Sequence, residues 1–354
     1  MRVLQLLNHT RRLNGHVHAA VDLACAQTRL GHTVAVASGG GDFDLLLATN
    51  EIETMSVSHE RRPAALVKGV TTLHRLARAW KADVVHAHMV TSAVLAWPVC
   101  KSLGIPLITT VHNEFERGAI LMGLGTRVIT VSEAVGRSMR RRGISSSKLD
   151  VVLNGTIGSA RFDGKDRTPR HLDAPSILFV GGLHPRKGLP DLLTAFDMVH
   201  SESPSTRLYV VGDGPYLDTY VDLARSMACR SAVTFLGAQD DPFPFLLGAD
   251  IFVLPSHADP APLVLSEARE AGCAIIAAEV DGIPELLEHG KAGVLVPSRN
   301  PARLAEALRS LVQNAGALQE WKQRSQFNLE HLRIDRVARQ TLEVYAVAQR
   351  QLQG

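Results

Sequence analysis

The first half of the chain alternates short apolar segments with longer amphipathic ones. The apolar segments are six or seven residues long and rich in Val, Ile and Leu, which predicts buried β-strands. They cover residues 2–7, 33–38, 83–88, 106–112, 127–132 and 149–154. Helical patterns fill the intervals, for example over 15–30 and 64–81. Strands that alternate with helices in this way are typical of a parallel sheet with helices on both faces.

The alternation stops over residues 161–175, RFDGKDRTPRHLDAP, and then begins again. This stretch is charged, contains Gly and Pro and has no period, so we interpret it as a linker. Beyond it, strands are predicted over 176–182, 207–214, 232–237, 250–256, 274–280 and 292–298. We therefore predict an α/β chain of two doubly wound, Rossmann-like domains, residues 1–165 and 173–335. Such sheets bind ligands at the carboxyl ends of their strands, so two domains facing each other would enclose a cleft.

Composition agrees with a two-domain protein of the cytoplasm. A length of 354 residues exceeds what one hydrophobic core usually supports. The start of the sequence does not resemble a signal peptide, and no apolar stretch approaches the roughly 20 residues that span a bilayer. The four cysteines are scattered, which favours reduced thiols. Aromatic residues make up only 5% and do not interleave with basic ones, so we do not expect nucleic-acid binding.

Charge divides the two halves. Residues 1–170 hold 22 Lys and Arg against 13 Asp and Glu, whereas residues 171–354 hold 16 against 22. The basic residues of the first half cluster at two places: Arg61, Arg62, Arg75, Arg78 and Lys81, and Arg137, Arg140, Arg141, Arg142 and Lys148. They indicate either a solvated helix face or peripheral contact with an anionic membrane or a lipid-linked acceptor.

The segment SHADPAPLVLSEARE, residues 256–270, is the most specific candidate for chemistry. It follows an apolar strand that ends at Pro255, contains two further prolines and places Asp259 and Glu267 eight residues apart. A helix predicted over 263–271 would leave the amides of Leu263 and Val264 free in its first turn. Those amides suit a phosphate, and carboxylates on either side suit the hydroxyl groups of a ribose and a sugar.

Glycines at other strand and helix ends are weaker signals. VGGLHPRKG places Gly181 and Gly182 after a strand and Lys187 before a helix, and LNGHVHAAVDLA places Gly15 at a helix start. Backbone amides at such positions can approach a phosphate, although a plain turn has the same sequence pattern. His86 and His88 share one face of a strand, as a metal hydrolase would present them, but no further ligand cluster accompanies them. We expect no metal site.

Taken together, these motifs resemble those of the retaining glycosyltransferases of family 4, also called group 1. The matching segments are VGGLHPRKG, VGDGP, VTFLG, VSEA, LNG and the run GADIFVLPSHADPAPLVLSEAREAGCAIIAAEVDGIPELL. They cover nearly the whole chain in order. The resemblance implies the GT-B fold, with an N-terminal acceptor domain, a C-terminal donor domain and a terminal helix, about 335–354, that packs on the first domain.

The resemblance also implies roles for individual residues. Lys187, with amides of the glycine-rich loops at Gly181 and Gly182, would hold the donor diphosphate together with the amides of Gly15, Leu263 and Val264. Asp259 and His112 would face the transferred sugar, and Glu267 would bind the ribose. His112, Lys187 and Asp259 are the predicted catalytic residues.

Three positions depart from the family pattern. Asp259 replaces the usual Glu, and Gly182 stands where many members carry an Arg for the diphosphate. Asp281 stands where the family often has glycine, which we interpret as a minor change.

The implied function is the metal-independent transfer, without a cofactor, of a sugar from a UDP- or GDP-sugar. The acceptor would be a glycan, a lipid-linked sugar or a small molecule. Two alternatives remain open. A nucleotide-sugar 2-epimerase shares the fold and the donor, and a non-catalytic nucleotide-sugar-binding protein would explain the missing arginine.

Overall fold

In a computed structural model, the chain folds into two compact units, which are described over residues 1–12, 14–59 and 62–353. Unit 1 comprises Met1–Asp163 and Glu330–Gly354, and unit 2 comprises Gly164–Leu329. Arg61, one of the clustered basic residues, lies outside the described residues.

Unit 1 is built on a parallel sheet of seven strands. The strands are β1 (Arg2–Leu6), β2 (Thr33–Ser38), β3 (Glu53–Ser56), β4 (Val84–Ala87), β5 (Leu107–Val111), β6 (Arg127–Thr130) and β7 (Leu149–Val151). The helices are α1 (Gly15–Arg29), α2 (Asp44–Thr49), α3 (Pro63–Ala79), α4 (Val90–Leu103) and α5 (Glu133–Arg141). The strand order is β3-β2-β1-β4-β5-β6-β7, so the direction of winding reverses between β1 and β4.

Hydrophobic periodicity predicted six of these strands and did not predict β3. The missed strand is the sheet edge, and its sequence ETMS buries only Met55. An edge strand with one buried side chain has too little apolar content for a pattern to reveal it.

Unit 2 repeats the same architecture with six strands. The strands are β8 (Ser176–Val180), β9 (Arg207–Val211), β10 (Val233–Gly237), β11 (Ile251–Leu254), β12 (Ala274–Ala278) and β13 (Val294–Val296). The helices are α6 (Leu189–His200), α7 (Leu217–Arg225), α8 (Phe243–Gly248), α9 (Leu263–Ala271), α10 (Ile283–Leu286), α11 (Pro301–Val312) and α12 (Ala315–Ser325). The strands are all parallel in the order β10-β9-β8-β11-β12-β13, and winding reverses between β8 and β11.

The last helix, α13 (Ile334–Gln353), belongs to unit 1 and packs against α1. Val344, Tyr345 and Ala348 on this helix lie in the same hydrophobic core as α1 and β1. The end of the chain therefore completes the core of the first unit.

The start of the sequence-predicted linker is part of unit 1. Arg161 is buried, and its guanidinium pairs with the fully buried Asp22 on α1, with Nε 2.7 Å from Oδ1. Thr156 and Ser159 donate their hydroxyls to the same carboxylate, each over 2.5 Å. From the sequence alone, a charged side chain is expected to be exposed to solvent. Only the fold brings the buried carboxylate of Asp22 to Arg161 and neutralises its charge.

Candidate functional site

The strongest cluster of predicted residues lies where the winding of unit 2 reverses. The loop after β8 carries Lys187, and the loop after the neighbouring β11 carries Asp259. In doubly wound sheets, the crevice beyond the carboxyl ends of such a strand pair is the usual ligand site.

Lys187 and Asp259 form an ion pair across these two loops. Nζ of Lys187 lies 2.6 Å from Oδ2 of Asp259, and the two side chains are 13% and 6% exposed. Ser256 also donates its hydroxyl to Oδ2, over 3.2 Å. Among the described residues, Oδ1 of Asp259 has no partner. A lysine has three N–H donors, so Nζ keeps donors for an anion while Asp259 keeps an acceptor for a hydroxyl.

Backbone packing fixes the position of Lys187. It ends a 3₁₀ turn, Pro185–Lys187, that is followed by Gly188 at φ 69°. A Cβ at Gly188 would lie 2.0 Å from the carbonyl oxygen of Pro255, so only glycine fits there. The turn is also tied to the β11 loop, because the His257 N–H donates to the Arg186 carbonyl over 2.7 Å.

Helix α9 begins at Leu263, as the sequence predicted, and presents unpaired amides. Its N-cap is Pro262, whose side chain cannot accept a hydrogen bond. Within the described part of the chain, the N–H groups of Leu263 and Val264 have no acceptor. Glu267 lies one turn further along and is buried. The helix start is therefore a partly positive position four residues beyond Asp259.

Two residues of this site were not predicted from the sequence. Ser256 contacts Asp259 directly, and Asp281 accepts a hydrogen bond from the Asp259 N–H over 2.7 Å. The pKa of Asp281 is raised, mainly by burial; the hydrogen bond from the Asp259 N–H opposes this increase, and the negative charge of Asp259 adds to it. The sequence suggests only a minor change at Asp281, whereas in the structure its carboxylate accepts a specific hydrogen bond. A sequence could not reveal this, because the two residues meet only in the folded chain.

The glycines after β8 lie in a tight backbone turn. Gly181 extends the pairing of β8 by donating to the Val211 carbonyl over 3.0 Å. A Cβ at Gly182 would lie 3.1 Å from the ring of His184. An arginine at this position would therefore require His184 to shift.

The two remaining predicted residues, Gly15 and His112, belong to unit 1. Gly15 is the first residue of α1, and a Cβ there would meet no atom within 4 Å. His112 follows β5, and its Nε2 lies 3.0 Å from Nδ1 of His88. Burial lowers the pKa of His112 well below its ordinary value, with further contributions from His88 and His16, so the imidazole is neutral at pH 7.

Over the described residues, no three or more His, Cys, Asp or Glu side chains are grouped so as to hold a metal ion. His86 and His88 contact other side chains instead. None of the helices in the described ranges combines the length and hydropathy needed to cross a bilayer.

Two family profiles match the chain, one for each unit. Residues 13–156 match Glycosyltransferase Family 4, and residues 162–327 match Glycosyl transferases group 1. The two matches together span most of the chain.

Several known proteins resemble this chain in sequence or in structure. Glycogen synthase of Mycobacterium tuberculosis is 29% identical over 323 residues, which cover 84% of this chain and 76% of the relative. The GDP-mannose-dependent alpha-(1-6)-phosphatidylinositol monomannoside mannosyltransferase of the same organism is 33% identical over 237 residues, 62% of this chain and 60% of the relative. Among solved structures, Anabaena HepE in complex with UDP and glucose superposes with a TM-score of 0.81 at 18% identity, over 98% of this chain and 100% of HepE.

Proposed function

Since the chain belongs to the family 4 glycosyltransferases and has their GT-B fold, we propose that it transfers a hexose from a nucleotide-sugar with retention of the anomeric configuration. Unit 2 binds the donor in this proposal, and unit 1 binds the acceptor and contributes Gly15 and His112. The donor is a UDP- or GDP-sugar, which the UDP bound to HepE and the GDP-mannose dependence of the mycobacterial mannosyltransferase support.

The Lys187–Asp259 pair carries this proposal. A diphosphate needs cations and N–H donors, which Lys187 and the amides of Leu263 and Val264 supply. A sugar hydroxyl needs an acceptor, which Oδ1 of Asp259 supplies. Glu267, buried on α9, is the proposed ribose ligand.

The reaction step we propose is a displacement on one face of the sugar. The acceptor hydroxyl attacks the anomeric carbon while the bond to the diphosphate oxygen breaks, and the leaving phosphate takes the hydroxyl proton. Lys187 and the α9 amides stabilise the charge that develops on the diphosphate, so no metal ion is required. We therefore expect turnover to persist in the presence of a chelator.

Ligand screening tests the donor class first. Thermal denaturation with UDP, GDP, ADP and their sugars should show stabilisation by one base, because a ligand that binds only the folded state raises its stability. A stabilising sugar nucleotide that is interconverted without an acceptor would indicate an epimerase. Binding with no turnover on any glycan or lipid-linked acceptor would indicate a non-catalytic protein.

A matched pair of variants tests the site. Lys187→Ala should weaken binding of the stabilising nucleotide about 10- to 150-fold, the cost of one charge-assisted contact. Arg186→Ala is the control, because this neighbouring side chain is exposed. Equal affinities for the two variants in calorimetry would contradict the assignment of Lys187 to the diphosphate.

For the acceptor, we propose that unit 1 docks on an anionic membrane surface. Arg137, Arg140 and Arg141 are exposed on α5. Arg142 follows that helix and donates to the carbonyl of Glu116 over 3.2 Å, next to the 3₁₀ helix Arg117–Leu124. Lys148 is less available than the sequence suggested, because its ammonium contacts the carbonyls of Gly123 and Gly125.

Apolar side chains are exposed on the 3₁₀ helix next to Arg142 and on the helix that packs against it. Ile120 and Leu121 on the 3₁₀ helix are 40% and 42% exposed, and Trp97 on α4, which packs against that helix, is 42% exposed. A surface that is basic and apolar at once suits the interface of an anionic bilayer, where each basic residue contributes about 1 kcal/mol.

Vesicle sedimentation tests this docking. The protein should sediment with phosphatidylglycerol vesicles at low salt, and Arg137/Arg140/Arg141→Ser should abolish this binding. The control is Arg225/Arg303/Arg324→Ser, which removes the same charge from exposed sites of unit 2. Equal binding by the two triple variants, or no binding by the wild-type protein, would favour a solvated helix face and a soluble acceptor.

A further inference from the structure

A buried polar network lies where the winding of unit 1 reverses. Gln5 on β1 and His86 on β4 are register partners on adjacent strands, and His88 follows β4. Gln5, His86 and His88 are at most 2% exposed. Polar side chains this deep must satisfy one another, because water does not reach them.

Hydrogen bonds connect His112 to this network in an unbroken chain. Nε2 of His112 lies 3.0 Å from Nδ1 of His88, and Nε2 of His88 lies 2.6 Å from the Gln5 amide oxygen. The Gln5 amide nitrogen donates to the amide oxygen of Gln27 on α1 over 2.7 Å. The Gln27 amide nitrogen in turn donates to the hydroxyl of Tyr345 over 3.1 Å.

Tyr345, on α13, connects the two glutamine amides to His86 and gives this chain of hydrogen bonds its direction. Burial raises the pKa of its phenol, which therefore keeps its proton. The phenol oxygen accepts from the amides of Gln27 and Gln5, so its own proton goes to Nδ1 of His86, 2.6 Å away. His86 then carries its proton on Nε2, which lies 2.6 Å from the Thr110 hydroxyl.

The same direction fixes the protons of the other two histidines. The Gln5 oxygen can only accept, so His88 carries its proton on Nε2, and its Nδ1 must accept from His112. Burial lowers the pKa values of His88 and His112 well below the ordinary value, so each ring has a single proton. His112 therefore holds its proton on Nε2 and has a lone pair on Nδ1. Among the described residues, that Nδ1 has no protein partner.

We propose that His88 is a positioning residue that locks His112 in the Nε2–H tautomer, so that Nδ1 of His112 accepts a hydrogen bond from a substrate hydroxyl. This inference rests on the proposed function, in which His112 contacts a sugar. The C-terminal helix α13 takes part in this positioning, because its Tyr345 supplies the phenol that orients the whole chain of hydrogen bonds. A ligand group without a proton to donate would meet a lone pair at this position.

Nitrogen-15 NMR of histidine-labelled, ligand-free protein tests the tautomer directly, and His112→Gln identifies the His112 signals. The wild-type protein should show the His112 proton on Nε2. A proton on Nδ1 of His112 would mean that the hydrogen bonds are donated in the opposite direction. This result would overturn the proposal without affecting the proposed function. Loss of the proposed function would instead appear as no binding of UDP or GDP by the wild-type protein.

Two substitutions of His88 separate positioning from packing. In His88→Asn, the amide oxygen can take the place of Nδ1 and accept from His112, whereas His88→Leu removes the acceptor. His88→Leu should lower kcat about three- to tenfold, the usual effect of one lost hydrogen bond, with the Kd for free nucleotide within twofold. His88→Asn should restore the tautomer and most of the turnover. Equal kcat for the two variants would contradict the proposal.

Tyr345→Phe provides the second measurement if His88→Leu does not fold. The ring is kept and only the phenol is lost, so Gln5 and Gln27 are no longer oriented. His112 should then show both tautomers, and kcat should fall while nucleotide affinity stays unchanged. A single, wild-type tautomer in this variant would mean that Tyr345 contributes packing alone and does not orient the chain.

Discussion

At the scale of single residues, Asp281 gives the Asp259 loop a contact that a glycine would not supply. Its carboxylate accepts the Asp259 N–H, and its backbone has a φ of 46°, a left-handed conformation that Asp adopts more readily than most residues. Asp281 therefore combines some backbone strain with a hydrogen bond that orients the carboxylate facing Lys187.

Replacing Asp281 with the residue common in the family should separate these two effects. Asp281→Gly relieves the left-handed backbone, so the stability of the protein should change by no more than about 1 kcal/mol. Loss of the contact to Asp259 should raise the KM for the sugar nucleotide about three- to tenfold and leave the Kd for the free nucleotide unchanged. Asp281→Asn keeps an acceptor oxygen and should resemble the wild type in both assays. If Asp281→Gly has a wild-type KM, the contact does not orient Asp259.

At the scale of elements, helix α9 serves both the site and the core of unit 2. It carries Glu267 and, two residues later, the fully buried Arg269. The Arg269 guanidinium donates to the carbonyls of Leu286, Ser325 and Phe327, at 2.6 Å and 2.8 Å for the first two. Burial lowers the pKa of Arg269 to about 10, so it stays charged at neutral pH. One guanidinium thus joins α9 to α10 and to the end of α12.

Arg269→Met should destabilise unit 2 strongly. Three carbonyls, two of them buried, would lose their donor, at a cost of about 3 kcal/mol or more. Trp321 lies in unit 2 while Trp80 and Trp97 lie in unit 1, so fluorescence in a Trp80/Trp97→Phe background reports this unit during urea unfolding. Arg303→Met is the control, because Arg303 is exposed and pairs with Glu306 on its own helix. Equal midpoints for the two variants would show that the buried guanidinium does not stabilise the unit.

At the scale of the whole molecule, histidines that stay neutral in the folded chain are concentrated in unit 1, and they are buried or half-buried. Burial, with a smaller effect of the His9 charge, lowers the pKa of His16 to about 4. Burial lowers that of His86 to about 3, and those of His88 and His112 lie well below 6.5. In the unfolded chain, these groups take up protons near pH 6.5. The unfolded state therefore binds more protons just below that pH, and the stability of unit 1 must fall as the pH falls.

Unit 1 should accordingly lose stability between pH 6.5 and 4.5, before most carboxylates titrate. Each histidine that stays neutral in the folded chain contributes a slope of at most about 1.4 kcal/mol per pH unit in this window. In a Trp321→Phe background, tryptophan fluorescence reports unit 1 during urea unfolding at several pH values. His16→Asn should flatten the slope, because it removes one group whose folded pKa is depressed. A free energy of unfolding that stays constant from pH 6.5 to 4.5 would contradict the burial of neutral histidines.

The sequence by itself determined the repeated pattern of strands and helices and the start of α9 at Leu263. These features depend on local periodicity, on proline and on the amides of a first helical turn, all of which are properties of neighbouring residues. The family resemblance was also contained in the sequence, because its motifs occur in chain order. Of the candidate site, the sequence could therefore supply the residue types and the strand ends that carry them.

Tertiary structure alone decided which of these residues meet. Lys187 and Asp259 are 72 positions apart, and they pair because β8 and β11 are adjacent strands. For the same reason, the sequence could not show that Asp281 contacts Asp259, that Gln5 accepts from His88, or that three carbonyls surround Arg269. The sequence places Arg161 in the predicted linker. The carboxylate that pairs with it belongs to Asp22 on α1, 139 residues away, so no local pattern could show the pair. Buried polar groups take their partners from whatever the fold brings close, so their energies and protonation are set by contacts between distant segments that no local pattern records.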